Sequence, residues 1–168
     1  ASDIALSLLA VYAGLTVACA LTFSSIGMTP LDAVVHAMAS ISTGGFSPSD
    51  QSFGKYAGAG EYAGTLFMIL GSLPYIRYVQ MVNGTAGPLL QDLQARAYLR
   101  WIAVAVLAVT LWRVLSSDMA IEPAFREALF NMTAIFSGTG FSSGSFSGWG
   151  GFALVAAFVV GIVGGCSG

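Results

Sequence analysis

A glycine-rich motif that occurs twice constrains the fold of this chain more than any other feature. It reads STGGFS at residues 42–47 and SGTGFS at residues 137–142, an offset of 95 residues. The same offset aligns Asp32 with Glu127 and Ala39 with Ala134, upstream of the motif. Self-similarity at a fixed spacing indicates a duplicated structural unit. The chain is therefore predicted to contain two copies of one unit, each with a hydroxyl-lined, glycine-rich turn.

The composition is that of a membrane protein. Hydrophobic residues make up 56% of the sequence and charged residues 8%, with a mean hydropathy of +0.80. A soluble domain has roughly 45–50% apolar and about 25% charged residues. No charge lies between Ile4 and Leu31, and about 20 apolar residues are enough to cross a lipid bilayer. We predict an all-α membrane protein.

Several other classes are disfavoured. The net charge of −2, without a Lys/Arg cluster, argues against a nucleic-acid partner. Cys19 and Cys166 lack metal-ligand spacing, which favours small buried side chains over a disulfide. The chain starts at Ala1 without a basic segment or cleavage site, so we expect a piece of a longer protein rather than a signal peptide.

Each unit is predicted to consist of an outer helix, a short half-helix, the glycine-rich turn and an inner helix. In the first unit the outer helix runs from about residue 4 to 23 and the half-helix from about 31 to 41. The turn continues through residue 47, and the inner helix runs from about 62 to 81. A half-helix of about 11 residues covers about 16 Å, half of the hydrocarbon thickness. The chain must then turn back at membrane depth, which is tolerated where the backbone is buried or faces water or ions. The alternative is an interfacial helix followed by a surface loop.

The starts of the two half-helices are predicted to match chemically. Thr29 and Pro30 supply an N-cap hydroxyl and a proline in the first turn, and Asp32 lies at the positive end of the helix dipole. Glu122-Pro123 and Glu127 are expected to do the same in the second unit.

Charge placement predicts the orientation. Arg96 and Arg100 flank the connection between the units, whereas acidic residues predominate beside the two turns. The positive-inside rule places the connection in the cytoplasm and the turns near the outer face.

Individual residues leave alternatives open. His36, aligned with Asn131, is interpreted as a packed polar residue that could hydrogen-bond to the back of the turn, with a pH sensor as the alternative. Arg77 is expected to reach the cytoplasmic interface or to face a cavity. Trp101 and Trp112, with Arg100 and Arg113, are interpreted as anchors at two interfaces.

These paired units and turns resemble the superfamily of Trk, Ktr and HKT potassium transporters, most closely the membrane subunit of bacterial Trk-type uptake systems. The resemblance implies a multi-pass protein of the bacterial inner membrane with four such units around one pore. Residues 1–83 would then be the second unit, 84–98 a cytoplasmic connection, and 99–168 the third unit, truncated in its inner helix. The implied partners are the remaining pore units, a second copy in a homodimer, and a cytosolic nucleotide-binding regulatory subunit.

The resemblance also assigns the site. The selectivity filter would be formed by Thr43, Gly44, Gly45 and Phe46 with Gly138, Thr139, Gly140 and Phe141. Potassium would lie at the carbonyls of Thr43, Gly44, Gly138 and Thr139, as the transported ion, without a covalently bound cofactor. The second turn departs from related sequences, which often carry hydroxyl residues at both positions held here by Gly138 and Thr139.

A further resemblance concerns the last five residues. Gly164, Gly165, Cys166, Ser167 and Gly168 resemble the intramembrane loop that gates the path below the filter. The alternative is that these small residues permit close helix packing.

The predicted function is potassium transport through a channel-like pore. The competing hypotheses are a less selective or sodium-conducting cation pore and a structural membrane scaffold. An intramembrane enzyme is disfavoured, because His36 is the only histidine and the sequence has no paired intramembrane carboxylates and no metal-ligand cluster.

Overall fold

The computed structural model describes residues 2–82, 84, 87, 91–144 and 149–163. Helices dominate these residues, joined by short loops and one 3-10 turn at Ser52–Tyr56. The helices are α1 (Ser2–Ser25), α2 (Pro30–Ile41), α3 (Ala59–Ser72), α4 (Tyr75–Val82), α5 (Leu93–Ser117), α6 (Ile121–Phe136) and α7 (Gly150–Val163).

Two helices are long and apolar enough to cross a bilayer. They are Ile4–Ser25 within α1, with a mean hydropathy of 2.2, and α5, with a mean hydropathy of 1.6. Large apolar side chains such as Leu6, Leu21 and Leu107 are exposed on these helices. Such surfaces are stable in contact with lipid but not with water.

Two shorter helices, α2 and α6, hold equivalent places in the two units. The 12 residues of α2 span about 18 Å and the 16 residues of α6 about 24 Å, so neither crosses a bilayer at right angles. They end at Ile41 and Phe136, which are 95 residues apart. The predicted half-helix bounds in the first unit are therefore confirmed to within one residue.

The expected chemical match between the two helix starts is only partly present. Glu122 lies in the first turn of α6 as Asp32 does in α2, but the N-caps differ. Thr29 caps α2 as predicted, since its hydroxyl accepts a hydrogen bond from the Asp32 amide at 3.2 Å. The N-cap of α6 is Ala120, which has no side-chain cap. In place of capping, Glu122 and Glu127 form ion pairs with arginine side chains.

The first inner helix is interrupted, which corrects the prediction of one helix over residues 62–81. The break lies at Leu73 and Pro74, between α3 and α4. Proline has no amide hydrogen and disfavours helical torsions in the residue before it, and Leu73 is extended with ψ of 154°. The hydroxyl of Ser72, at the end of α3, lies 2.7 Å from that of Tyr98 on α5.

The anchor interpretation of Arg113 is also wrong. Only 8% of this residue is exposed. Its guanidinium lies 2.8 Å from Glu127 on α6 and 4.3 Å from the ring centre of Trp149. Arg113 therefore pairs with a carboxylate inside the protein and does not lie at the membrane interface, because a buried cation needs a fixed counter-charge. Trp112 packs on Phe152 of α7, with ring centres 4.9 Å apart.

Two apolar clusters form the core. The first joins α1, α2, α3 and the 3-10 turn around Phe23, Phe53 and Met68, and it includes Cys19, confirmed as a fully buried free thiol. The second joins α5, α6 and α7 around Val109, Met132 and Ala153. Helix α3 also packs on α6, so the two units share one continuous body.

Candidate functional site

The first turn leaves α2 through alternating backbone conformations. Thr43 and Gly45 have positive φ values of 50° and 68°, whereas Gly44 between them does not. The Gly44 amide still bonds to the helix, donating to the Ala39 carbonyl at 2.8 Å. The Thr43 amide donates to the Ser40 carbonyl at 3.3 Å, so the amides of both residues are used by the end of α2.

The second turn repeats this pattern at the aligned positions. Gly138 and Gly140 have φ values of 72° and 78°, with Thr139 between them outside the positive region. The Gly140 amide donates to the Ala134 carbonyl at 3.0 Å. The duplication seen in the sequence is therefore also a duplication of backbone geometry.

The structure brings the two turns into direct contact. A Cβ atom added to Gly45 would overlap the carbonyl oxygen of Thr139. Beyond the turns, the Phe53 amide donates to the Ser142 carbonyl at 3.0 Å, and the Ser142 amide donates to the Ser52 hydroxyl at 3.2 Å. Of the predicted filter residues, Gly45 and Thr139 touch across the two turns, whereas Phe46 is 76% exposed.

The side chain of Thr139 is occupied within its own loop. Its hydroxyl lies 2.7 Å from that of Ser137, which in turn donates to the Ala134 carbonyl at 3.3 Å. Thr139 is only 4% exposed. The group that Thr139 has available toward Gly45 is therefore its main-chain carbonyl.

A buried side chain on each short helix holds the segment that follows its turn. The His36 Nδ1 lies 2.7 Å from the Asp32 carbonyl and its Nε2 lies 3.0 Å from the Ser47 hydroxyl. Asn131, at the aligned position, donates to the Ser143 carbonyl and accepts from the Ser143 amide, both at 3.1 Å. The predicted bond from position 36 to the back of the turn is present.

The aligned carboxylates at positions 32 and 127 are neutralised by different elements. Asp32 is paired with Lys55, at 3.0 Å, and with the Tyr56 hydroxyl, both in the 3-10 turn. The hydrogen bond from Lys55 to Asp32 raises the pKa of Lys55. Glu127 is paired instead with Arg113 from the outer helix. Each carboxylate ties its short helix to a neighbouring element.

Sequence reasoning missed an ion-pair network between the units. Glu61, at the start of α3, is 1% exposed and pairs with Arg126 of α6. Arg126 also pairs with Glu122 at 2.9 Å, and the Glu122 carboxylate accepts from the Tyr62 hydroxyl at 3.2 Å. The opposite charges at positions 61 and 126, each next to an apolar helix, were a usable sign of such a pair.

Metal-binding side chains and the predicted gate are the two remaining features of the site. Within the described ranges, no group of three or more His, Cys, Asp or Glu side chains could hold a metal ion. The predicted gate residues 164–168 lie outside the described residues.

Comparison with known proteins gives concordant matches. The sequence model of the TrkH family, described as cation transport protein, matches residues 2–168. The chain is 41% identical to the Trk system potassium uptake protein TrkI of Halomonas elongata, over 98% of the chain and 34% of that relative. It is 30% identical to the Trk system potassium uptake protein TrkH of Vibrio parahaemolyticus, over 94% of the chain and 34% of that relative.

A solved structure matches as well. The crystal structure of the potassium transporter TrkH from Vibrio parahaemolyticus aligns with a TM-score of 0.88 at 27% identity. The alignment covers 95% of this chain and 35% of that one. These matches confirm the predicted resemblance, the all-α membrane fold and the bacterial inner-membrane location. The chain spans about a third of the length of the relatives it matches.

Proposed function

Because this chain belongs to the TrkH family of cation transport proteins, we propose that it forms part of a pore for potassium ions. The observation that carries the proposal is the contact between Gly45 and the Thr139 carbonyl, which joins two equivalent turns at the ends of two short helices. The curated relatives are named as potassium uptake proteins rather than as enzymes. We propose the same non-enzymatic role here.

The proposed ligands are the carbonyls of Thr43, Gly44, Gly138 and Thr139. A potassium ion must lose water to enter a narrow path, and rings of carbonyl oxygens compensate for that loss. The positive φ values of Gly45, Gly138 and Gly140 support this assignment, because glycine adopts at no steric cost the torsions that can aim successive carbonyls inward.

The helices add an electrostatic contribution. Both α2 and α6 end immediately before a turn. The C-terminal end of a helix carries a partial negative charge, which favours a cation nearby. Two helix ends converging on the contact between the turns would therefore lower the energy of a dehydrated cation there.

Two turns cannot surround an ion, so the remaining ligands must come from elsewhere. We propose residues 1–83 and 99–168 as the second and third of four pore units, joined through residues 84–98. The other units would lie in the part of the full-length protein outside this chain. The isolated 168-residue chain is then expected not to conduct.

We further propose a gate and an assembly. Residues 164–168 would form the glycine-rich loop that blocks the path below the filter. A homodimer and a cytosolic nucleotide-binding regulatory subunit would complete the system. Cys166 offers a direct test, since its reaction with a thiol reagent should differ between open and closed conditions.

Rubidium flux into proteoliposomes tests the function. The full-length protein is expected to carry labelled rubidium, a potassium substitute, with competition from potassium but not from equal sodium. Equal competition by sodium would favour the less selective pore. Absence of flux in the presence of the regulatory subunit would favour the scaffold.

A further inference from the structure

Two aligned aromatic residues have opposite surroundings. Phe46 and Phe141 occupy the same place in the two turns, 95 residues apart. The ring of Phe46 is 76% exposed and that of Phe141 is 3% exposed. Their local sequence and backbone are alike. The difference therefore comes from what lies next to each turn.

Phe141 packs into a pocket that the first unit supplies. Its ring centre lies 4.8 Å from that of Phe53 and 5.7 Å from that of His36. These residues belong to the 3-10 turn and to α2, and Phe141 is part of the first core cluster. The aromatic ring of the second unit thus completes the core of the unit before it.

Hydrogen bonds secure the same contact. The main chain of Ser142 is bonded on both sides, through its carbonyl to the Phe53 amide and through its amide to the Ser52 hydroxyl. Ser47 is the aligned residue in the first unit. Its hydroxyl bonds to His36 and to the Ser49 amide, but its main chain has no hydrogen-bond partner among the described residues.

We propose that Phe46 docks this unit onto a further pore unit of the same polypeptide, in a pocket like the one that His36 and Phe53 form for Phe141. The unit that supplies this pocket to Phe46 lies outside residues 1–168, since the chain spans only 34% of a relative such as TrkI. The inference rests on the proposed multi-unit pore and adds its assembly rule. The aromatic residue of each glycine-rich turn packs on the short helix of the preceding unit and on the 3-10 turn that follows that helix.

Photocrosslinking in the full-length protein tests this rule. The photoreactive amino acid p-benzoylphenylalanine replaces Phe46, and in a matched control it replaces Phe141. Mass spectrometry should map the control adduct to residues 30–56. The adduct from position 46 should map to a peptide of the same polypeptide outside residues 1–168. An adduct with lipid, with a second copy, or within residues 1–168 would overturn the proposal.

A second measurement covers variants that fold poorly with the bulky group. In a background of Cys19→Ala and Cys166→Ala, Phe46→Cys should react with a water-soluble maleimide as slowly as Phe141→Cys, and more slowly than Gln51→Cys. Reaction as fast as at position 51 would overturn the docking. Rubidium flux measured on the unsubstituted full-length protein separates the proposals. Flux in the parent together with fast reaction of Phe46→Cys contradicts docking alone, whereas slow reaction of Phe46→Cys together with no flux in the parent contradicts conduction alone.

Discussion

Two glycines with the same backbone conformation differ in the space around them. Gly45 and Gly140 both have positive φ, but an added Cβ meets the Thr139 carbonyl only at position 45, and nothing within 4 Å at position 140. Alanine in a left-handed conformation costs about 1–2 kcal/mol. That cost applies at both positions. Among the described residues, only a side chain at position 45 would also force a proposed ligand to move.

We therefore expect both Gly45→Ala and Gly140→Ala to lower rubidium flux in the full-length protein, because a further pore unit would lie against Gly140 as the second turn lies against Gly45. Both variants are measured in proteoliposomes at equal protein content. Unchanged flux in Gly45→Ala would show that the contact between the turns does not matter for conduction.

The buried amide of Asn131 gives a prediction for stability. It bonds to both main-chain groups of Ser143 and donates to the Glu127 carbonyl at 2.8 Å. Removing it leaves buried polar groups unpaired, which costs about 1–3 kcal/mol. Asn131→Ala should destabilise the detergent-solubilised protein by that amount in thermal unfolding. Ser116→Ala, which removes two exposed hydrogen-bond contacts, should change the stability by less than about 0.5 kcal/mol. Similar effects of the two substitutions would contradict a stabilising role for the Asn131 hydrogen bonds.

At the scale of the element, Asp92 links two helices. Its carboxylate caps α5 by accepting from the Gln94 and Ala95 amides, and it pairs with Arg77 of α4 at 2.9 Å. The bond from the Ala95 amide is the main cause that lowers the pKa of Asp92, with the Arg77 pair adding to it. A carboxyl with a lowered pKa stabilises the fold above its unfolded pKa, about 3.9, and loses that effect as the pH falls through the folded value.

Asp92→Asn tests this link, because asparagine also caps helices well but carries no charge. The variant should melt at a lower temperature than the parent at pH 7, and the difference should shrink as the pH falls below about 4. A difference that stays constant with pH would mean that the charge contributes nothing.

The sequence predicts some elements well for identifiable reasons. Thr29 and Pro30 mark the start of α2, and the glycines after Ile41 mark its end, so local chemistry fixes both bounds. The break at Pro74 was also visible, but the long apolar stretch around it favoured one continuous helix. Arg113 was misread for a different reason. Its partner Glu127 lies on another helix, and tertiary pairing is not encoded in local pattern.

In the candidate site, too, some features follow from the local sequence and others depend on tertiary contacts. Spacing predicts that the two turns are equivalent. Residue type predicts positive φ at Gly45, Gly138 and Gly140, but not at Thr43, which has a φ of 50°. The contact of Gly45 with Thr139, the pocket for Phe141 and the bonds of Ser142 depend on how the units dock. No periodicity within one unit carries that information.

At the scale of the whole molecule, the Glu61–Arg126 pair joins the two units. Both side chains are largely buried, whereas the second partner of Arg126, Glu122, is 62% exposed. Breaking a buried pair from one side costs about 3–5 kcal/mol, but exposed pairs contribute about 0–1 kcal/mol. Glu61→Gln should therefore destabilise the full-length protein far more than Glu122→Gln in thermal unfolding. Equal effects would argue against a brace between the units.

The central claim is that main-chain carbonyls of the two turns hold a dehydrated potassium ion. Its most direct test is a crystal structure of the full-length protein grown with rubidium, using anomalous scattering to locate the ion. The account predicts an anomalous peak in contact with the carbonyl oxygens of Thr43, Gly44, Gly138 and Thr139. Rubidium bound elsewhere in the protein, with no peak between the two turns, would contradict it.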